Sequence, residues 1–345
     1  MKKGTELPKT VPVMTSVPCT DYIARWAKKN YGLSKATRCS FWFQGLNLVY
    51  HIYDGSKKYA LKIYRHWWRT PAQVEYELKE LLFLQKAGIP VTTPLPNLKG
   101  GYSLSLGLPD GEAVAVLFTF AEGEIRQKPL PALAKKAGEL LARLHKAQDQ
   151  FFFTPPSPPK DAELLVTEQM KLLALHRPSF GKQWPLLESS AARLKRELAR
   201  LPRKKPLYGL IHGDFHYGNM HYDPSRKTYV LFDLELTALG WRLYDLATFL
   251  WDLWDDSPTF SLLEKRQGTK AFLKAYSSVR TLEPAETLAL PAMMAARQLH
   301  WMGAQADYAP KLSGILVSAG RHHQKMEFLK SWMSGKLEKM LFGGK

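Results

Sequence analysis

Residues 210–251 read LIHGDFHYGNM, then a turn, then YVLFDLELTALGWRLYDLATFLW, and the rest of the chain is organised around them. The first part carries His212, Gly213, Asp214 and, five residues after the aspartate, Asn219. The second part is a short β-branched and aromatic run, Tyr229 to Phe232, that ends in Asp233. An aspartate and an asparagine on a tight loop are thus followed by a strand that delivers another aspartate. Phosphoryl transfer needs this set. One carboxylate orients and accepts the proton of an attacking hydroxyl, while an amide oxygen and a second carboxylate hold Mg²⁺ against nucleotide phosphates. Gly213 permits a tight turn before Asp214, and Gly218 relaxes the chain before Asn219. A bland polar loop accounts for the turn-formers but not for Asp214, Asn219 and Asp233 together. Accepting a proton requires only hydrogen-bond reach, so Asp214 need not have a raised pKa.

The spacing H-x-D-x-x-x-x-N equals that of the kinase catalytic loop. His212 is expected to buttress the loop by hydrogen bonding, and the role of His216 stays open. Arg242 and Asp245 flank Leu243-Tyr244 at the opening of an apolar helix, where a charged pair fixes local architecture. The next turn holds Trp251, Asp252, Trp254, Asp255 and Asp256. Acids interleaved with tryptophans suit a cationic substrate through charge and cation–π contact, and equally suit a helix end with a buried tryptophan or two.

Upstream, residues 40–64 alternate as strands: FWFQGLNLVYHIYDG, a turn at Asp54-Gly55, and KKYALKIYR. Residues 71–87 show helical periodicity through Val74, Leu78, Leu81, Leu82 and Leu84, stopped by Gly88 and kept from resuming by Pro90 and Pro94. A second strand pair runs through Asp110-Gly111 into EAVAVLFTFAEGE. Lys62 stands in the apolar strand, where an isolated ammonium must snorkel or pair. Glu77 lies fifteen residues on, in a helix that also carries Glu75 and Glu80. A lysine held by a helix glutamate and aimed at α- and β-phosphates is a kinase feature. Between the first two strands, Phe43-Gln44-Gly45-Leu46-Asn47 offers one glycine rather than a glycine-rich loop.

After Gly123 the signal turns helical. Residues 131–150 carry an apolar stripe of Leu133, Ala137, Leu140, Leu141 and Leu144. Helices are expected at 161–176 and 186–201, and, beyond the central stretch, at 261–279, 283–305 and 325–341. The domain reading is 1–120, a β-rich nucleotide-binding lobe with an extended tail at 1–20, and 121–345, a helical lobe with catalytic loop, metal site and acceptor site. A hinge falls near 117–124.

The chain has 345 residues, 45% hydrophobic and 12% aromatic, enough for two packed domains. No apolar run approaches the length of a membrane-spanning helix, and the N-terminus lacks the apolar centre of a signal peptide, so a cytoplasmic protein is expected. Cys19 and Cys39 form no metal or redox motif. The net charge of +18 is scattered, with its densest run at 193–205, and no nucleic-acid-binding signature accompanies it.

HGDFHYGN, then FDLE, then GWRLYDLATFLW resemble the aminoglycoside phosphotransferase and choline kinase-like superfamily, relatives of the protein kinases. The resemblance covers roughly residues 40–330 and is specific at 210–251. It implies an α+β, bilobal protein-kinase-like fold, with a small β-rich N-lobe and a larger, mainly helical C-lobe. It also implies ATP and Mg²⁺ as cofactors. Asp214 falls on the family's catalytic base, Asn219 and Asp233 on its Mg²⁺ ligands, and Lys62 with Glu77 on its ATP-anchoring pair. Adenine is expected to meet backbone groups near Thr119 and Ala121. Where the family often has Asp-Phe-Asp or Asp-Phe-Glu, this chain has Asp233-Leu234-Glu235, which keeps an acid two residues on.

The reading is therefore a kinase for a hydroxyl-bearing small molecule, with antibiotics among the candidates. The acceptor would meet Trp251, Asp252, Asp255 and Asp256. A Ser/Thr protein kinase of the bacterial stress-response type is the first alternative. A non-catalytic nucleotide- or nucleic-acid-binding module is the second, against which the intact Asp214, Asn219 and Asp233 argue. Classical aminoglycoside sites are strongly acidic, so the charge of +18 weighs against a polycationic acceptor.

Overall fold

The computed structural model describes residues 13–254, 259–308, 310–312 and 319–343. They divide into two compact units. One holds residues 13–74, 94–120, 308 and 310–312, and the other holds 75–93, 121–254, 259–307 and 319–343.

The first unit is a five-stranded antiparallel sheet in the order β1-β2-β3-β5-β4 with one helix against it. The strands are β1 (Arg38–Gln44), β2 (Asn47–Asp54), β3 (Lys57–Tyr64), β4 (Leu104–Leu108) and β5 (Gly111–Thr119), and the helix is α1 (Thr20–Tyr31). Side chains of successive strand residues point to opposite faces. Leu48, Tyr50, Ile52, Leu61, Ile63, Ala113, Ala115 and Leu117 therefore share one face and form the core with Ile23 and Ala27 of α1. Lys62, between two core residues, is sent to the other face, paired across the ladder with Val49 and Val116. The Asp54↔Lys57 pair closes β2–β3 with Gly55 at a φ of 62°, as the Asp-Gly signal expects. In β4–β5 the turn sits one residue earlier, at Pro109-Asp110, because Gly111 already pairs with Leu108.

Helix α2 (Pro71–Lys86) has its first turn in the first unit and the remainder in the second. Thr70 and Gln73 exchange side-chain and backbone hydrogen bonds at its start, a capping box. The second unit continues with α3 (Leu130–Gln148), which packs on α8 (Leu262–Ser277). The approach is backbone to backbone: a Cβ added at Gly138 would stand 2.3 Å from the Phe272 carbonyl oxygen. Between them come α4 (Gln169–Ala174), α5 (Arg177–Phe180) and α6 (Trp184–Leu198), then β6 (Tyr208–Ile211), β7 (Met220–Asp223), β8 (Thr228–Leu231), β9 (Ala238–Trp241) and α7 (Leu243–Trp254). The unit closes with α9 (Pro284–Tyr308), whose last residue groups with the first unit, α10 (Ala319–Met333) and α11 (Lys336–Phe342). No helix among the described residues is long and apolar enough to cross a membrane.

Two expected helices are built differently. The segment expected at 161–176 opens with wide π-helical turns over Glu163–Glu168, and Gln169 Nε2 donates to the Leu164 carbonyl within them. The tail expected as one helix is two, parted by Gly335 at a φ of 74°. Asp255, Asp256 and most of the Pro- and Thr-rich tail lie outside the described residues.

Candidate active site

Two short antiparallel ladders frame the central loop. Strand β6 pairs with β9 and feeds the chain into residues 212–219; β7 leaves that loop and pairs with β8, which delivers Asp233. The loop opens on Gly213 at a φ of 81°, where a Cβ would stand 2.2 Å from the Leu236 carbonyl oxygen. Glycine is therefore required there twice over, by conformation and by space.

The loop is fastened from behind by Asp245, near the start of α7 and fully buried. Its carboxylate accepts the backbone N–H of His212 (2.7 Å) and of Gly213 (2.8 Å). His145 of α3 lies 3.0 Å from the same carboxylate through Nε2, and its Nδ1 lies 2.8 Å from the Tyr276 hydroxyl. Arg280 donates to that hydroxyl at 2.9 Å. Burial, followed by the nearby Arg242 and Arg280, holds His145 far below the usual imidazole range. It is therefore neutral, accepting a hydrogen bond from the Tyr276 hydroxyl at Nδ1 and donating one from Nε2 to Asp245. Burial raises Asp245, opposed by His212 and the two amide donors. Arg242 supports the strand before the loop. Its Nη1 donates to Leu210 O at 2.9 Å, and its Nη2 bonds Asp149. Arg242 and Asp245 thus build the loop rather than react in it.

At the front of the loop, Asp214 is bound on both oxygens. Oδ1 accepts from Arg297 Nη2 of α9 at 2.6 Å. Oδ2 accepts from Asn219 Nδ2 at 3.2 Å, with His216 Nε2 at 3.4 Å. Burial raises the Asp214 pKa, but Arg297 and then His216 more than reverse this, and the carboxyl ends well below its usual range. For His216, burial lowers and Asp214 raises, with a net upward shift. His212 is pushed down by burial, and its Nδ1 accepts the Asp214 N–H at 3.3 Å, so it buttresses the loop as a neutral ring.

Asn219 and Asp233 are brought together by main chain. The Phe232 N–H donates to the Asn219 carbonyl at 3.1 Å, one residue before Asp233. Asp233 has a φ of 65°, a left-handed conformation that a non-glycine residue holds only when its surroundings impose it. Asn219 spends its amide N–H on Asp214, which leaves the character of a ligand atom to its side-chain oxygen. An amide oxygen and a carboxylate are hard ligands that suit Mg²⁺ or Ca²⁺, which complete their shell with phosphate and water. No cluster of three or more His, Cys, Asp or Glu ligands occurs among the described residues.

The other expected residues fall as follows. Lys62 is buried, with its ammonium 4.4 Å from the Tyr64 ring centroid. Glu77 and Glu80 are both buried in α2; Glu80 accepts from Gln148 Nε2 at 2.8 Å. Thr119 ends β5, and the Ala121 carbonyl accepts from His221 Nδ1 at 2.8 Å. Trp251 donates its indole N–H to Gln298 at 2.8 Å, and its ring already has the Arg297 guanidinium at 5.1 Å and the Lys325 ammonium at 5.4 Å. Asp252 is half-buried and its charge is felt by His216 and Arg297.

Arg297, His145 and Lys160 are the residues that sequence reading passes over. The first two leave a trace. Arg297 interrupts the run AMMAARQLHWM on a helix otherwise apolar at that point, and His145 directly follows the leucine stripe of α3. Lys160 is buried, with its ammonium 5.5 Å from the Tyr244 ring centroid. A charged residue in a buried run needs a partner, and for Arg297 the partner is Asp214.

The family model described as "Phosphotransferase enzyme family" matches residues 44–282. The chain belongs to that family. It is a small-molecule kinase. Amicoumacin kinase of Bacillus subtilis (strain 168) is 27% identical over 285 residues, covering 79% of this chain and 81% of that one. Homoserine kinase of Caulobacter vibrioides is 29% identical over 270 residues, covering 75% and 78%. A solved structure of amicoumacin kinase hAmiN, in complex with AMP-PNP, Ca²⁺ and Ami, superposes with a TM-score of 0.75 at 20% identity, covering 94% of this chain and 95% of that one. The α+β, kinase-like fold implied by the motif is thereby shown.

Proposed function

We propose that this kinase transfers the γ-phosphoryl group of ATP, with Mg²⁺, to a hydroxyl of a small molecule, and that Asp214 receives the acceptor. The observation that carries this is the Asp214–Asn219 hydrogen bond with Asp233 held beside it in a left-handed conformation. Asp214 is ionised at neutral pH, so it can accept a hydrogen bond from an acceptor hydroxyl and hold its oxygen for in-line attack. Its low basicity suits a reaction in which the proton leaves late and positioning supplies most of the rate.

Asn219 and Asp233 would hold the metal, which when bound draws charge from the phosphate oxygens. Lys62 is proposed to meet the α- and β-phosphates with Glu77 as its helix partner, and Thr119 and Ala121 to meet adenine. The Ala121 carbonyl is occupied by His221, so its backbone contribution would be the N–H. AMP-PNP and Ca²⁺ in the hAmiN structure belong to that protein, and they support a nucleotide and a divalent cation here. Homoserine and amicoumacin kinases among the relatives support a small-molecule acceptor, with an antibiotic as one candidate.

The test is transfer of label from ATP to aminoglycosides, macrolides, amicoumacin, choline, homoserine and hydroxylysine, beside a protein extract. Labelling of a small molecule that disappears in Asp214→Asn, with ATP binding retained, supports the reading. Labelling confined to proteins, or activity surviving in Asp214→Asn, overturns it.

A further inference from the structure

We infer that Arg297 is a positioning residue for phosphoryl transfer, one that fixes the oxygen of Asp214 to which the acceptor hydroxyl donates. The inference rests on the phosphotransfer reading above. A carboxylate presents about four lone-pair positions to donors. Among the described residues two hydrogen bonds reach the Asp214 carboxylate, from Arg297 Nη2 to Oδ1 at 2.6 Å and from Asn219 Nδ2 to Oδ2 at 3.2 Å, and His216 Nε2 stands 3.4 Å from Oδ2 as an ion pair. With Asn219 and His216 both against Oδ2, the more open oxygen is Oδ1, the one Arg297 grips. Without Arg297 only the two longer contacts on Oδ2 would restrain rotation of the carboxylate about its Cβ–Cγ bond.

Arg297 can fix that oxygen because it is itself fixed. Its Nη1 lies 3.4 Å from the Tyr244 hydroxyl, which lies 2.7 Å from His300 Nδ1. Its planar face lies 5.1 Å from the Trp251 ring centroid, and Trp251 is tied to Gln298. The side chain is buried, on a stretch of α9 where Met293, Met294 and Ala296 are buried as well. A lysine carries the same charge but has no second prong for Tyr244. In the step this arrangement serves, the acceptor O–H gives its proton to Oδ1. Its oxygen forms the new bond to the γ-phosphorus, and the β–γ bridging oxygen departs with the bonding pair as ADP.

The experiment uses the full chain with MgATP and water as acceptor, in wild type, Arg297→Met, Arg297→Lys, Asp214→Asn and the Asp214→Asn/Arg297→Met double variant. Arg297→Met is expected to lower kcat about 100-fold with KM for MgATP within about twofold, Arg297→Lys to recover about tenfold of that, and the double variant to be no slower than Asp214→Asn. A kcat for Arg297→Met within about twofold of wild type, or losses that multiply in the double variant, overturn the inference. Urea unfolding of the same four-way cycle needs no turnover. Coupling of about tenfold or more in the unfolding constant is expected. Additive unfolding overturns the clamp while leaving the phosphotransfer reading intact; coupling with no MgATP turnover in wild type overturns that reading and the positioning role with it.

Discussion

His145 and Asp245 meet 3.0 Å apart with neither side chain exposed, and the aspartate passes the contact on to the His212 and Gly213 amides. Removing the carboxylate strands three buried donors at once. Asp245→Ala is expected to cost about 3–5 kcal/mol in urea unfolding, the range for breaking a buried, hydrogen-bonded charge. Asp245→Asn keeps an acceptor oxygen and should cost less while still disturbing the loop. Its signature is a lowered rate of MgATP turnover with nucleotide affinity near wild type.

Gly213→Ala meets two obstacles, a left-handed φ and the Leu236 carbonyl at 2.2 Å from the new Cβ. The expected outcome is loss of turnover and at least about 2 kcal/mol of stability, since the opposing atom is main chain and cannot swing aside. Retention of wild-type melting temperature and rate would refute this.

Asp233→Gly separates strain from function. Glycine takes a φ of 65° freely, so the variant should unfold no more easily than wild type, within about 1 kcal/mol. It has lost the carboxylate, and its turnover should fall by orders of magnitude with a higher Mg²⁺ requirement. Asp233→Asn tests the same ligand with the strain kept. A variant Asp233→Gly that is both stable and active would remove Asp233 from the metal site.

Glu80 gives stability a pH dependence. Burial raises its pKa to about 8. The folded chain therefore keeps a proton that the unfolded chain releases near pH 4.5, the ordinary glutamate value. The contribution is fully present below about pH 4.5 and is lost as pH rises through about 8, at up to roughly 1.4 kcal/mol per pH unit. Urea midpoints from pH 5 to 9 should fall in wild type and fall less in Glu80→Gln. Equal slopes would place the titration elsewhere.

The reach of the sequence follows from how far apart the partners lie. Asp214, Asn219 and Asp233 are within twenty residues of one another, and a loop, a strand and two glycines announce their geometry. The sheet is legible for the same reason: alternation and Asp-Gly turns are local signals. Arg297 lies eighty-three residues beyond Asp214, and His145 a hundred before Asp245. Helical periodicity shows that such a residue faces inward but not what it meets there. The wide turns at Glu163–Glu168 and the left-handed angle at Gly335 are local changes of backbone geometry, which the spacing of apolar residues does not register.

The loop's attachments to Asp245, His145 and Arg242 come from α3, α7 and the β6–β9 ladder, and none of them uses Trp251 or Asp252. The main-chain path of the loop is therefore insulated from side-chain exchanges at the end of α7, whereas an exchange at Trp251 reaches Asp214 through Arg297.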